Sequence, residues 1–95
     1  MDKILNLLGL AYAARKMVLG EEVLNGMNKV KLVLVASDIS EKSRERVDKK
    51  CYYYHVDIVD NFSSDDLSAA IGKATVKLIG ITDKGFAQSI KSKIK

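Results

Sequence analysis

The sequence predicts an α/β fold, a three-layer α/β/α sandwich around a four-stranded mixed sheet, in one domain over residues 1–95. Three observations carry this expectation. Segments with helical spacing alternate with short β-type runs in the order α-β-α-β-α-β-α-β-α, and such alternation requires a mostly parallel or mixed sheet with helices on both faces. Two runs, "KLVLVAS" (31–37) and "VKLIGIT" (76–82), are continuously apolar and β-branched, as in strands covered on both sides. The length of 95 residues suits one domain and is short for two.

The elements follow in chain order. Ile4, Leu7, Leu8, Ala11 and Tyr12 recur at helical spacing and predict a first helix over about 2–15. Residues 17–19 form a short strand. Gly20 then opens a short helix in which Val23, Leu24 and Met27 share a face. After the strand at 31–37, Ser40 is placed to cap a third helix with Val47, Cys51 and Tyr54 as its buried stripe. Glu45 and Lys49 lie at i, i+4 on its outer face, a mildly favourable pair. A strand at 56–59 leads to Ser63, the cap of a fourth helix. There Asp65 and Asp66 suit the positive helix start, Leu67, Ala70 and Ile71 face inward, and Gly72 ends the helix. After the strand at 76–82, Thr82 or Asp83 caps the last helix, with Phe86, Ile90 and Ile94 on one face. Lys91, Lys93 and Lys95 complement its C-terminal dipole.

Composition narrows the function. Sixteen Lys and Arg against twelve Asp and Glu give a net charge of +4, which favours polyanionic partners without identifying one. The positive residues are spread along the chain, so no arm reads as a disordered nucleic-acid tether. Cys51 is the single cysteine and cannot close an internal disulfide, which fits a reducing, cytoplasmic setting. The apolar N-terminus reads as an amphipathic helix, not a signal peptide, and no run approaches the roughly 20 apolar residues of a membrane span.

No catalytic pattern assembles. The sequence has no G-x-x-x-x-G-K-[ST], G-x-G-x-x-G or G-x-S-x-G. Cys51 and His55 stand at i, i+4 and are a conceivable nucleophile and base, but two ligands do not make a zinc site and Cys51 sits on the apolar stripe. Tyr52, Tyr53 and Tyr54 invite a base-stacking reading. Three consecutive helical residues point in three directions, however, so the expectation is Tyr54 in the core and the others over the helix end. Asp65 and Asp66 read as helix-start residues rather than an acid–base pair.

The stretches "LLGLAYAARKMVLGEE", "KLVLVASDISEKSRERV" and "AIGKATVKLIGITDKGFA" resemble the small bacterial YlxQ-type proteins of the kink-turn RNA-binding ribosomal-protein superfamily, of the L-seven-Ae and L-thirty-e type. The resemblance covers nearly the whole chain. It implies an α/β/α sandwich and non-catalytic binding of structured RNA, kink-turn-like or ribosomal, with no cofactor or metal. It leaves room for ribosome-associated proteins as partners. In that superfamily a G-x-N-E-x-x-K motif opens the second helix and reads sheared G·A pairs, and the loop after the fourth helix covers an extruded nucleotide. The matching positions are Gly20, Glu21 and Glu22, then Gly72, Lys73, Ala74, Thr75 and Val76. Lys16 resembles a lysine the family often has just before the short strand. The RNA-binding surface implied in this way comprises Lys16, Gly20, Glu21, Glu22, Lys29 and Lys73, with Ala74 to Val76 as an apolar lid.

The first loop is chemically coherent with RNA. Orphan amides at a helix start favour a phosphate, glycine admits close approach, and a carboxylate accepts from the N–H donors of a guanine edge. The same acids have a plainer use, since each contributes about 0.3–1 kcal/mol at a helix start through the dipole alone. The chain also departs from the motif. In register from Gly20, Glu22 stands where it has Asn, Val23 where it has Glu and Gly26 where it has Lys; a slip of one residue would give Glu22 the Glu role and still leave the Lys absent. The stretch from Gly20 to the next strand is about three residues shorter, close to one helical turn. Arg15 stands where many YlxQ-type proteins have glycine. These departures motivate an alternative: a protein-interaction module on the same fold that has lost specific RNA readout. A small α/β enzyme with an unrecognised site is the third reading.

Overall fold

The computed structural model describes residues 2–94. Helix α1 spans Lys3–Ala13; the Asp2 side chain caps it by accepting from the amides of Ile4 at 2.7 Å and Leu5 at 3.3 Å. The chain turns back through Arg15 at φ 61° into strand β1, Met17–Leu19. Helix α2, Glu21–Asn25, ends at Gly26 and passes into a 3₁₀ turn, Met27–Lys29. Strand β2 is Leu32–Val35, and helix α3, Glu41–Tyr54, starts at Ser40, whose hydroxyl accepts from the Ser43 amide. Strand β3 is Asp57–Val59. Helix α4, Ser64–Ile71, opens on a capping box: Ser63 Oγ accepts from the Asp66 amide, and Asp66 Oδ2 accepts from the Ser63 amide. Strand β4, Leu78–Ile81, and helix α5, Lys84–Lys91, with Asp83 as its cap, complete the order.

The four strands lie in the order β1-β4-β2-β3. β2 and β3 run parallel, while β4 runs antiparallel to both β1 and β2. Strands β1, β2 and β3 therefore share one direction, and β4 begins where the other three end. Side-chain alternation sends Leu32, Leu34, Ile79 and Ile81 to a face covered by α1, α4 and α5, where Ile4, Leu8, Leu67 and Ile90 are buried. Val33, Val35 and Leu78 meet Val23, Leu24, Met27, Val47 and Cys51 from α2, the 3₁₀ turn and α3 on the other face. All four residues of β2 and of β4 are buried, as their unbroken apolar runs predict. The α/β/α sandwich with a four-stranded mixed sheet is thus the observed architecture.

Several sequence expectations are corrected. The elements are shorter than their patterns at the ends, because the flanking residues turn into caps and loops. Tyr54 is not core: it is 40% exposed. The buried stripe of α3 stops at Cys51, because the chain reverses through His55 at φ 59° and the Val56 amide returns to the Cys51 carbonyl at 2.9 Å, closing the helix end. Lys91 does not simply face its own helix end but pairs with Asp57 of β3 at 2.9 Å. Lys95 lies outside the described residues.

Two contacts fix the end of the sheet where β1–β3 finish. After β2, Asp38 accepts from the Ser64 amide at 2.8 Å and the Ser64 hydroxyl at 2.7 Å, tying that loop to the start of α4. The Ser64 hydroxyl, and then its amide, hold the Asp38 carboxyl below its ordinary value. On the face below α2, Gly80 is tightly enclosed: a methyl there would stand 3.1 Å from Val18 Cγ2, Val23 Cγ1 and Val30 Cγ2, closer than ordinary contact. This lets α2 sit close over β4.

Gly80→Ala is expected to lower stability by about 1–3 kcal/mol in urea unfolding, since three packed β-branched side chains cannot all yield. Asp38→Asn is expected to destabilise at neutral pH. A depressed carboxyl stabilises above its unfolded pKa, and the effect is lost as pH falls through the lowered folded value, so the wild-type advantage should shrink on acidification of thermal melts. A pH-independent difference would assign Asp38 a purely steric role.

Candidate nucleic-acid interface

Gly20 leaves β1 at φ 59° and ψ −132°, a region that side chains rarely adopt, and starts α2 without a side-chain cap. Its amide donates to the Leu78 carbonyl at 3.1 Å, which fastens the β1–α2 loop to the start of β4. The second loop leaves α4 through Gly72 at φ 74°. The Val76 amide donates to Ser68 Oγ at 2.7 Å, folding this loop back onto α4. The two loops meet along one cleft of about 200 Å³, lined by Leu19, Gly20, Lys73, Ala74, Thr75, Val76, Lys77 and Leu78. Thr75 holds φ 55°, a genuine outlier for a β-branched residue and the kind of strain that collects at binding loops. Lys73 Nζ lies 6.0 Å from the centroid of the Tyr12 ring, within cation–π range, so α1 also positions this cation.

The two glutamates have different surroundings. Glu21 is held by Arg46 of α3 through two contacts, at 3.1 and 3.2 Å. Both side chains are more than half exposed, so the pair contributes about 0–1 kcal/mol and exchanges readily. Glu22 is exposed and has no side-chain hydrogen bond or ion pair among the described residues. It is the carboxylate of the pair that is free to accept from a ligand. Val23, at the motif position of the glutamate, is fully buried, and Gly26, at the position of the lysine, is the cap that ends α2. Neither can serve the motif's chemistry.

The remaining predicted residues separate in space. Lys16 faces Thr82 across β1 and β4, its carbonyl accepting from the Thr82 amide at 3.0 Å. It is four residues before Gly20, so the two Cα atoms stand about 13 Å apart along the strand. Lys29 closes the 3₁₀ turn, and Lys31 just beyond it donates to the Ile81 carbonyl, so Lys29 also lies towards the end of the sheet where β4 finishes. The fold therefore brings together Gly20, Lys73, Ala74, Thr75 and Val76, with Glu21 and Glu22 adjoining, and sets Lys16 and Lys29 apart. Of the expected lid, Ala74 and Thr75 are exposed, whereas Val76 is 6% exposed and belongs to the core.

Sequence reasoning missed Arg46, Tyr12 and Lys77. Arg46 and Tyr12 act through contacts made across the fold, for which no local pattern exists; Lys77, adjacent to the predicted loop, was within reach. The Cys51–His55 pair does not form a reactive couple. Cys51 is buried, and burial, with Asp48 nearby, pushes its thiol up to about 11, which disfavours the thiolate. His55 lies beyond the helix end and is exposed. Among the described residues, no three His, Cys, Asp or Glu side chains gather to hold a metal, and no helix is long and apolar enough to cross a membrane.

Comparison with known proteins accords with this architecture. Residues 2–91 match the ribosomal protein L7Ae/L30e/S12e/Gadd45 family. The chain is 40% identical to an Enterococcus faecium protein named RNA-binding protein YlxQ, across 98% of this chain and 92% of that one. It is also 40% identical to the Bacillus subtilis (strain 168) protein of the same name, across 88% and 87%. A Bacillus halodurans C structure described as a protein of unknown function superposes with a TM-score of 0.93 at 31% identity, covering 98% of this chain and 97% of that one. The Giardia lamblia 15.5kD RNA binding protein superposes at 0.74 with 18% identity, covering 99% and 92%, which speaks to the fold alone. By its matched length and its relatives, this chain belongs to the ribosomal protein L7Ae/L30e/S12e/Gadd45 family as a YlxQ-type member.

Proposed function

We propose that this protein binds structured RNA, kink-turn-like or ribosomal, without catalysing a reaction on it. The observation that carries the reading is the single cleft formed where the Gly20 and Gly72–Val76 loops meet, with Lys73 and Lys77 along it. The names of the two YlxQ relatives support RNA as the ligand. In this reading Lys73 and Lys77 meet phosphates, Gly20 admits the backbone, Ala74 and Thr75 cover an unstacked base, and Glu22 accepts from a base edge. Lys16 and Lys29 extend the positive surface along the sheet rather than into the cleft. A cytoplasmic setting fits the lone free cysteine.

A second reading, a protein-interaction module on the same fold, is favoured by the burial of Val23 and the capping role of Gly26, which deny the motif two of its side chains. Pull-down after nuclease treatment separates the two: a partner retained without RNA supports the module, and one that disappears with the RNA excludes it.

Binding of a kink-turn RNA and a duplex of equal length should be compared across a salt series. The kink-turn is expected to bind more tightly, with affinity falling as salt rises. Equal affinity for both would remove the specific reading, and a flat salt response would remove phosphate contact altogether. Lys73→Ala should weaken binding and reduce the log–log salt slope by about 0.7–0.9. Glu22→Gln should change preference among RNAs more than overall affinity. If it lowers only the melting temperature, the carboxylate is a helix-start residue and nothing more.

A further inference from the structure

A larger cleft, about 540 Å³, opens between α2 and α3, away from the paired loops, and shares no residue with theirs. Its walls are Leu24, Arg46, Lys49, Lys50, Tyr53 and Tyr54. Helical spacing makes this grouping: Arg46, Lys50 and Tyr53 fall at i, i+4 and i+7 on one stripe of α3, with Lys49 beside them. Leu24, 6% exposed, forms an apolar floor. Tyr53 is 74% exposed and Tyr54 40%, so two large rings stand in water where aromatic area is ordinarily covered. The rings are 4.8 Å apart and inclined at 81°, an edge-to-face contact that makes a corner.

Apart from the Glu21 carboxylate held on Arg46, the charged side chains lining this corner are positive. Lys49 and Lys50 are exposed and have no ion-pair partner among the described residues, so the Glu45–Lys49 pair expected from spacing is not formed. Arg46 is held by the exposed Glu21 carboxylate, a weak surface pair with which a phosphate must compete.

We propose that this cleft is a second RNA site that takes an unpaired nucleobase of a single-stranded segment. The base stacks against the Tyr53 ring at the tyrosine corner, and the flanking phosphates lie on Arg46, Lys49 and Lys50. Stacking rings set in a positive groove are the arrangement by which single strands are held without regard to sequence. The paired lysines favour RNA over a protein partner, because lysine is depleted from protein–protein interfaces whereas phosphate contacts use it freely. The inference does not depend on the paired-loop reading, and the two fail separately.

Anisotropy of a fluorescein-labelled short single-stranded oligoadenylate, titrated with the protein, tests it. Saturable binding that weakens with salt is expected. Tyr53→Ala, an exposed position, should raise the Kd about tenfold, whereas Tyr53→Phe, which keeps the ring, should restore binding. Lys49→Ala with Lys50→Ala should weaken binding and flatten its log–log salt slope by about 0.7 for each phosphate no longer neutralised. Tyr53→Ala should affect the single strand more than a kink-turn RNA, and Lys73→Ala the reverse. The proposal is overturned if the oligomer does not bind or if Tyr53→Ala binds it like wild type. It is equally overturned if Lys73→Ala and Tyr53→Ala weaken both RNAs in parallel, which would leave one site. A further overturning result is a protein captured from nuclease-treated extract by the wild type and not by Tyr53→Ala, since the corner is then a protein surface.

Discussion

The Gly20 amide donates to the Leu78 carbonyl at the point where β1 stops and β4 starts. The two loops of the proposed RNA site are a pair because of this hydrogen bond and the strand direction behind it. Had β4 run with its neighbours, the segment after α4 would have entered the sheet at the other end, and Lys73 to Val76 would lie far from Gly20. Since β4 is inserted antiparallel between β1 and β2, the loop from α4 arrives beside the exit of β1. The buried rows of β2 and β4 make that insertion rigid, because both strands are covered on both faces and a slip of one residue would exchange the two cores. Gly80 completes the constraint by letting α2 press onto β4, which sets where the residues after Gly20 begin.

Electrostatics on this frame is a surface matter. No polar or charged side chain is buried among the described residues, so the core contributes packing and almost no pH dependence. The carboxylates are used instead at helix starts, by Asp2, Asp66 and Asp83, and at the Asp38–Ser64 clamp. Glu21 fits this pattern only in part. It stands in the first turn of a helix of five residues, too short to develop much dipole, and it is drawn sideways to Arg46. Glu21 is therefore balanced by a cation from another helix, and Glu22 is left over.

The fold was largely legible in the sequence. Alternation of periods, the two continuous apolar runs and the caps Ser40, Ser63 and Asp83 all express local physics, and local physics decided them. The paired loops were also legible, through the resemblance rather than through composition or spacing. What the sequence could not display were contacts closed by the fold: Arg46 reaching α2, Lys73 over Tyr12, and the strand register that parts Lys16 and Lys29 from Gly20. Tyr54 illustrates the limit within a single helix. Its spacing from Val47 and Cys51 is correct for a buried stripe, yet burial also needs an element opposite, and the chain turns away at His55 before one is supplied. The positive φ of Arg15 shows the same dependence on context, since the turn there is made by a residue whose type does not announce it.

Helix α2 has a further consequence. Five residues between two glycines do not sustain a helix by their own hydrogen bonds, so its shape is borrowed from Val23, Leu24 and Met27, which are pinned to the sheet and to α3. One short segment thus serves two surfaces. It begins directly after Gly20, which lines the cleft of the paired loops, while Leu24 floors the tyrosine corner and Glu21 holds Arg46 at that corner's rim. In mechanical terms it is a strut between two clefts that share no residue: each has its own lining, and one pinned segment joins them.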